Sequence, residues 1–180
     1  MTRFFLGRMR GGPVADRPDL VAPQVLSALD GLGRLGDVGV VEIDPAISDT
    51  AATQEAYGLP AASLVNCVVV GGSRGGDQRV AACLVPADKR ADVNGFVKRR
   101  LDVRKASFLP REVAVDATGM EFGGITPFGL PAGWTLLVDE DAVQEPVVVV
   151  GSGVRRSKLL VPGTLLSRLP NAEVTPDLAR

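Results

Sequence analysis

A nine-residue segment rich in glycine and proline, residues 123–131, constrains the fold of this chain more than any other. It contains three glycines and two prolines, in the order Gly-Gly-Ile-Thr-Pro-Phe-Gly-Leu-Pro. Proline lacks a backbone N–H and glycine weakens regular elements, so neither a helix nor a central strand can run through it. The segment therefore predicts a tightly turned loop whose backbone N–H groups lie open to a bound molecule. The alternative is a rigid connection between two elements.

Composition limits the classes of protein that this chain can belong to. Its 180 residues, 46% of them apolar, suit one domain with a sizeable core. A net charge of −1 gives no global attraction to nucleic acid, so a nucleic-acid partner would need clustered basic residues. No apolar run approaches the roughly 18 residues of a membrane span, and the first residues are too short a run for a secretory signal. We therefore expect a cytoplasmic protein with no membrane partner.

The chain has no histidine, which narrows the chemistry it can perform. Ser–His, Cys–His and metal–His sites are excluded, and the commonest general base near neutral pH is missing. Cys67 and Cys83 lie in apolar runs, so we expect buried free thiols, with a disulfide as the less favoured alternative. No metal-ligand spacing is present, and we expect neither a metal nor another cofactor. Hydrolysis would depend on Lys, Asp, Glu, the backbone or groups of the substrate.

Hydrophobic periodicity predicts more strands than helices. Strands are expected at 37–44, 64–71, 79–86, 105–108, 134–139, 146–151 and 157–161. Helices are expected at 23–35, from Ser48 or Asp49 to Gly58, from Asp92 to Leu101, from Pro110 to Gly119 and at 162–169. Residues 1–22 lack periodicity and predict an irregular tail, followed by a single domain at 23–175. The fold class is α+β, with a mixed, barrel-like sheet and flanking helices.

Two glycine-rich segments together carry a resemblance to a known family. In residues 123–129 a glycine pair is followed by a β-branched residue, Thr, Pro, an apolar residue and Gly. The apolar run 147–150 leads into a second turn, Gly-Ser-Gly-Val-Arg-Arg at 151–156. Loop, strand, turn and Arg are similar to those of the YbaK/EbsC-type aminoacyl-tRNA editing domain, over about residues 24–175. That family includes deacylases of Cys-tRNA(Pro) and the editing domain of prolyl-tRNA synthetases.

The resemblance implies a function and a set of substrate-binding residues. The substrate would be the 3′ end of a mischarged tRNA, whose ester carbonyl meets the loop N–H groups. The implied substrate-binding residues are Gly123, Gly124, Ile125, Thr126, Pro127, Gly129, Gly151, Ser152, Gly153 and Arg155. A chain of this kind would hydrolyse the ester in trans, as an aminoacyl-tRNA deacylase. The alternative is a non-catalytic module on the same fold that binds a tRNA end, an aminoacyl group or an aminoacyl-tRNA synthetase; a regulator that binds a small molecule is a third possibility.

Asn66 and Lys158 are the candidate catalytic residues. In the active deacylases the strand that matches 64–70 carries a Lys near its start, and Asn66 stands there, which brings donors but no charge. Lys158 lies on the strand after the second glycine-rich turn. Alternation places it on the same face as Arg156 and Leu160, where it could supply the missing charge with a lowered pKa. The alternatives are an Asn satisfied by neighbouring backbone and a solvated surface Lys.

A run of basic residues at 98–111 is the candidate tRNA-binding surface. The residues proposed for it are Arg99, Arg100, Arg104 and Lys105, which would join Arg155 in a basic rim at the mouth of the pocket. The alternative is an ordinary solvated helix face. No aromatic residue lies between Arg99 and Lys105, so the sequence does not predict base stacking there.

Overall fold

The protein, in a computed structural model that describes residues 4–180, has an α+β fold built on two main sheets and one short hairpin. The strands are β1 Phe5–Leu6, β2 Met9–Arg10, β3 Gly12–Pro13, β4 Gly39–Glu42, β5 Val65–Arg74, β6 Asp77–Pro86, β7 Ala106–Phe108, β8 Thr135–Asp139, β9 Val148–Gly151, β10 Ser157–Val161 and β11 Ala172–Thr175. The α-helices are α1 Pro23–Gly31, α2 Thr50–Tyr57, α3 Lys98–Leu101, α4 Arg111–Thr118, α5 Glu140–Gln144 and α6 Gly163–Leu166. Single turns of 3₁₀-helix lie at Val14–Asp16, Pro18–Leu20, Pro45–Ile47 and Ala61–Ser63.

The larger sheet has five strands in the order β11-β8-β6-β5-β7. Its centre is the antiparallel hairpin of β5 and β6, which pairs from Val65–Pro86 to Arg74–Asp77. Gly75 and Gly76 close the hairpin with positive φ angles of 60° and 90°, as a two-residue turn of this twist requires. Both strands are therefore longer than their apolar runs predict. β8 pairs parallel with β6, and β11 pairs parallel with β8.

The smaller sheet has four antiparallel strands in the order β3-β4-β10-β9. β9 and β10 form a hairpin across the glycine-rich turn, with Lys158 opposite Gly151. A single parallel bridge between Leu64 and Val149 joins the two sheets. Within residues 4–180 neither sheet closes on itself, because β7 and β11 are edges of one and β3 and β9 are edges of the other. The predicted barrel-like closure is therefore not confirmed, although the mixed α+β class is.

The core lies between the two sheets and on their outer faces. Alternate residues of β10 divide between two clusters: Leu159 packs into the central core and Leu160 into the core on the other side. The same alternation places Cys67 on the central face of β5 and Cys83 of β6 in the cluster on the opposite face. Both cysteines are free, as expected for thiols on opposite faces of one sheet.

The stretch before α1, for which the sequence predicts an irregular tail, contains short elements that pack on the domain. β3 pairs with β4, and Met9 and Val14 are fully buried. Residues 1–3 of the predicted tail lie outside the described residues. Within the described part of the chain, no helix is long and apolar enough to cross a membrane.

The helices predicted at 23–35 and 162–169 are shorter in the structure, at Pro23–Gly31 and Gly163–Leu166, whereas the ends of α2 follow the local sequence. Asp49 caps α2 by accepting a 2.9 Å hydrogen bond from the Ala52 N–H, and Gly58 ends it in the left-handed conformation. Asp92 caps the next helical segment, but its first turn, Val93–Val97, is a π-helix rather than the start of an α-helix. The short helix α5 and the strand β11 carry no periodic signal that predicts them.

Candidate functional site

A cavity of about 420 Å³ lies where the two sheets diverge, between β5 and the loop that follows α4. It is lined by Ser48, Asp49, Thr50, Leu64, Val65, Asn66, Cys67, Val68, Val69, Phe108, Leu109, Arg111, Ala114, Phe122, Gly123, Ile125, Val149, Val150, Gly151 and Lys158. Most of these side chains are apolar, and the polar ones converge from four separate segments. Such a lining is typical of a ligand site in a soluble protein.

One wall of the cavity is an open length of the β5 edge. Leu64, just before β5, bridges to Val149 of β9, and β5 pairs with β7 from Val70 onward. The residues between these two contacts line the cavity. The Val69 carbonyl oxygen accepts a 2.9 Å hydrogen bond from the Leu109 N–H on this edge. Because backbone groups alternate along a strand, the N–H and C=O of Cys67 point toward the same edge. Backbone donors as well as side chains are therefore directed at the cavity.

Lys158 is the buried cation of the site. Only 9% of the residue is exposed, because β10 is an inner strand with β4 on one side and β9 on the other. Its Nζ donates a 2.7 Å hydrogen bond to the Ser48 carbonyl oxygen. Burial lowers the pKa of Lys158 to about 8; the charge of Arg155 also lowers it, and Asp49 opposes them. The group is therefore an ammonium at pH 7 that is close to its titration range.

The like-charged neighbour of Lys158 differs from the one that alternation predicts. Arg155, not Arg156, lowers the pKa of Lys158. The strand begins at Ser157, so its alternation does not extend back to Arg156. Arg156 is exposed and donates to the Asp19 carbonyl oxygen instead.

Asn66 lies on the cavity wall and is held by a neighbour across the site. Its Oδ1 accepts a 2.6 Å hydrogen bond from the hydroxyl of Thr50, in the first turn of α2. The amide N–H₂ group is then the part of Asn66 that can donate to a ligand. Asn66 and Lys158 are thus a neutral donor and a charged donor that line one cavity.

The two glycine-rich segments touch each other beside the cavity, which Gly123 and Gly151 line but Gly124 and Gly153 do not. The Gly153 N–H donates a 2.7 Å hydrogen bond to the Gly124 carbonyl oxygen. A Cβ atom on Gly151 would lie 2.4 Å from that same oxygen, and one on Gly124 would lie 2.9 Å from the backbone of Val154. No side chain fits at either position, so the close approach explains both glycines. Gly123 has a φ of 84°, a left-handed conformation that favours glycine.

Arg155 connects these segments at the rim of the site. Its backbone N–H donates to the Glu121 carboxylate at 2.6 Å, and its guanidinium donates to the carbonyl oxygens of Phe122 and Pro45 at 3.3 and 3.1 Å. A Cβ on Gly123 would lie 3.1 Å from that guanidinium. Arg155 therefore lies beside the loop, although it is not among the residues that line the cavity itself.

The structure divides the remaining predicted substrate-binding residues between other places. Pro127 and Gly129 line a second cavity of about 450 Å³, together with residues such as Leu32, Trp134 and Leu169. The loop changes sides at Thr126, which is fully buried and whose hydroxyl has no protein partner within residues 4–180.

The second glycine-rich turn likewise has one end that faces away from the cavity. Ser152 is fully buried, with its hydroxyl 3.0 Å from the Val154 carbonyl oxygen and its own carbonyl oxygen accepting from the Ala22 N–H. A Cβ on Gly153 would lie 2.4 Å from the Ala22 side chain. Ser152 and Gly153 thus hold the turn against the start of α1.

The basic rim that the sequence predicts at the mouth of the cavity stays a prediction. Arg99, Arg100, Arg104 and Lys105 are absent from the cavity lining, and Arg100 forms an ion pair with Glu173 beside β11. The basic residues that do line the cavity are Arg111 and Lys158. Arg111 was within the basic run, but its spacing alone did not separate it from its neighbours.

Sequence reasoning missed most of the cavity lining, including the polar and aromatic residues Ser48, Thr50, Phe108, Arg111 and Phe122. Ser48 and Thr50 are marked in the sequence only by their position at a predicted helix cap. No sequence pattern links Arg111, Phe108 and Phe122 to one site. Ser48 is the most informative of them. It is 1% exposed, lines the cavity, and its hydroxyl has no protein partner in the described chain. A buried hydroxyl without a partner is costly, so this one is available to a ligand or a water molecule.

Cys67 is the thiol at the cavity, but its environment is not that of a nucleophile. Burial raises the pKa of Cys67 well above its ordinary value and raises that of Cys83 to about 12. Both thiols are therefore protonated and unreactive near neutral pH. Among residues 4–180 there is no cluster of three or more Cys, Asp or Glu side chains that could hold a metal ion.

Comparison with known families identifies the class to which this fold and cavity belong. The aminoacyl-tRNA editing domain matches residues 44–169, more than half of the chain. The chain therefore belongs to the aminoacyl-tRNA editing domain family. The matched region contains every residue that lines the cavity. No curated protein matches the chain.

Solved structures share the fold. A hypothetical protein, APE2540, superposes with a TM-score of 0.75 at 22% identity, over 87% of this chain and 99% of that one. A proposed trans-editing enzyme for prolyl tRNA synthetase gives 0.74 at 24% identity, over 89% and 99%. A scaffold protein for linear epitopes, made by computational backbone grafting, gives 0.72 at 26% identity, over 89% and 99%. At these identities the likeness establishes the fold.

Proposed function

We propose that this protein hydrolyses the ester of a mischarged tRNA in trans. Family membership supports an editing role, and the observation that carries hydrolysis is the buried ammonium of Lys158 in the cavity beside Gly123 and Gly151. The ester carbonyl would enter between the open β5 edge and the loop. A cation in a site largely shielded from water stabilises an oxyanion far better than a solvated one does.

In the proposed reaction Lys158 stabilises the charge that develops when the ester carbonyl is attacked. Water adds to the carbonyl carbon, the bond to the ribose oxygen breaks, and that oxygen leaves as a hydroxyl after taking a proton. The products are the free amino acid and the uncharged tRNA. Since the chain has no histidine, the attacking water would be activated by a substrate group, such as the free hydroxyl of the terminal ribose.

Selection of the amino acid would follow from the size of the cavity. The side chain of the amino acid would meet apolar residues such as Leu64, Val149 and Ile125. Larger side chains would be excluded by size, whereas among those that fit, an apolar pocket discriminates a methylene by only ~1–3 kcal/mol. A solved structure described as a proposed trans-editing enzyme for prolyl tRNA synthetase makes tRNA(Pro) the first substrate to test, with that synthetase as the proposed partner. The proposed location is the cytoplasm.

The alternative is a binding module that has lost its catalyst, and Asn66 is the observation that favours it. The resemblance expects a Lys there, and the Asn66 amide brings a donor without charge. In this alternative the protein would hold an aminoacylated tRNA end or a synthetase without turnover. Lys158 would then be a buried cation with no catalytic role.

The two proposals separate in one experiment. Wild-type protein is incubated with a panel of mischarged tRNAs, beginning with tRNA(Pro) charged with alanine, serine or cysteine, and release of the amino acid is followed under single-turnover conditions. Hydrolysis that exceeds the uncatalysed rate and is lost in Lys158→Met supports the deacylase. Tight binding of the same tRNAs without release supports the binding module.

A further inference from the structure

Two aromatic rings are exposed on the wall of the candidate site. Phe108 is 61% exposed and Phe122 is 46% exposed, and both line the 420 Å³ cavity. They come from different elements, the edge strand β7 and the loop after α4. Large apolar side chains left open beside a cavity mark a surface that a ligand covers. A ring also offers a flat face on which a nucleobase can stack.

Phe108 lies between this cavity and a neighbouring cleft. The cleft has a volume of about 460 Å³ and shares the residues Asn66, Val68 and Phe108 with the cavity. Phe108 is held in place because β7 pairs with β5, with Phe108 opposite Val70. A ligand with its reactive group in the cavity can therefore extend across the ring of Phe108 into the cleft.

The charges around the two rings are of both signs, since the carboxylates of Asp49 and Asp92 line the cavity and the neighbouring cleft. The guanidinium of Arg111 lies 4.3 Å from the centre of the Phe122 ring, and Lys158 lines the cavity. Arg90 is exposed in the neighbouring cleft. Lys89 is also there but is neutralised by ion pairs with Asp139 and Asp141. The side of the cavity near Arg111 is thus the more favourable place for a phosphate.

We propose that the ring of Phe108 is the stacking platform for the terminal base of an RNA 3′ end whose last ribose enters the cavity. The identity of the ligand as an RNA end rests on the proposed function; the platform itself rests on the exposure and placement of Phe108. Stacking on a phenyl ring accepts any base, so the platform gives affinity and positions the ribose rather than reading sequence. It holds the ribose so that its ester is directed at Lys158.

The test measures how much the terminal base contributes to binding. Two uncharged acceptor-stem minihelices are compared, one ending in adenosine and one in which an abasic ribose replaces that adenosine. Wild type should bind the first more tightly by about 5- to 150-fold. Phe108→Leu, which keeps an apolar side chain on the strand, should lose most of this preference. Phe108→Tyr, which keeps an aromatic ring, should retain it. Phe5→Leu is the matched control, because Phe5 is 52% exposed and stacks near Arg10 away from the cavity.

The outcomes separate this inference from the proposed function. A wild type that binds both RNAs equally, or a Phe108→Leu protein with an intact melting temperature and an unchanged preference, overturns the platform. Deacylation is scored independently on mischarged tRNA. A preference for the terminal base without deacylation contradicts the proposed hydrolysis and supports the stacking platform. Deacylation without that preference supports the hydrolysis and contradicts the platform.

Discussion

The ammonium of Lys158 is tied to the backbone of Ser48, with 2.7 Å between Nζ and the carbonyl oxygen. The Ser48 hydroxyl has no protein partner in the described chain, and both residues line the same cavity. An ammonium has three donors, so one hydrogen bond to Ser48 fixes its position and leaves the others for a ligand. A buried charge and a buried hydroxyl that wait for a partner both lower the stability of the empty protein. Such a cost is typical of a functional site.

The first prediction concerns replacement of Lys158 by an apolar side chain of similar length. Lys158→Met should lower the single-turnover rate of deacylation by roughly 100-fold or more, because a charged donor is lost from a shielded site. Its free energy of unfolding at pH 7 should rise by on the order of 2 kcal/mol, since the variant no longer buries a charge. Rates and urea unfolding curves measure the two effects. A loss of stability together with an unchanged rate would mean that Lys158 is structural.

The second prediction is the pH dependence of the reaction. Because burial lowers the pKa of Lys158 to about 8, the fraction of ammonium falls as the pH rises through that value. The rate, after subtraction of uncatalysed hydrolysis, should decline above about pH 8. Lys158→Arg keeps its charge over this range, so whatever activity it retains should not show the decline. A wild-type rate that rises through pH 8 would instead make the neutral amine the active form.

The same titration should appear in stability. Between pH 8 and 10.5, the folded protein has released the Lys158 proton while the unfolded chain still holds it. Stability therefore rises with pH in this window, and the penalty of the buried charge disappears. The advantage of Lys158→Met over wild type should shrink across the same window. Unfolding curves at several pH values measure the difference.

Local sequence was sufficient to predict the elements that hold the site. Asp49 and Gly58 bound α2 as their capping chemistry predicts, and alternation along β10 correctly separates Leu159 from Leu160. The length of β5 and β6 was underestimated because polar residues continue the hairpin to Gly75. The sequence does not predict the parallel strand β11, because four residues are too few to show a periodic pattern and the pairing with β8 is a tertiary contact.

The composition of the site was only partly predictable, for a similar reason. Asn66, Gly123 and Gly151 stand in local patterns that mark turns and strand ends, and the structure brings them to one cavity. Phe108 and Phe122 become neighbours of the site only through pairing of β7 and the path of the loop. Likewise, only the folded path of the loop shows that after Thr126 it leaves the first cavity, so that Pro127 lines the second one.

The third prediction tests the contact between the two glycine-rich segments. Gly151→Ala would place a Cβ 2.4 Å from the Gly124 carbonyl oxygen, so one of the two backbones must move. The free energy of unfolding should fall by about 1–3 kcal/mol, and deacylation should fall with it. Gly133→Ala is the control, since a Cβ there meets nothing within 4 Å. If the two variants unfold at the same urea concentration, the close packing of the segments is not important for the fold.

The last prediction asks whether Lys158 substitutes for the Lys that the resemblance expects at Asn66. Asn66 and Lys158 line one cavity, so Asn66→Lys would bring a second ammonium to a site that already holds one. Like charges disfavour each other, and the new Lys would also lose the hydrogen bond that Asn66 accepts from Thr50. If Lys158 is the substitute, Asn66→Lys should not raise the rate of deacylation, and it should lower the stability. Asn66→Gln is the control for side-chain length without charge.

The decisive protein is the double variant Asn66→Lys, Lys158→Met, because moving the cation back to β5 should recover part of the activity that Lys158→Met loses. If instead the wild type is inert on every mischarged tRNA and Asn66→Lys alone creates activity, Lys158 does not take over the role of the missing Lys. The protein is then a binding module.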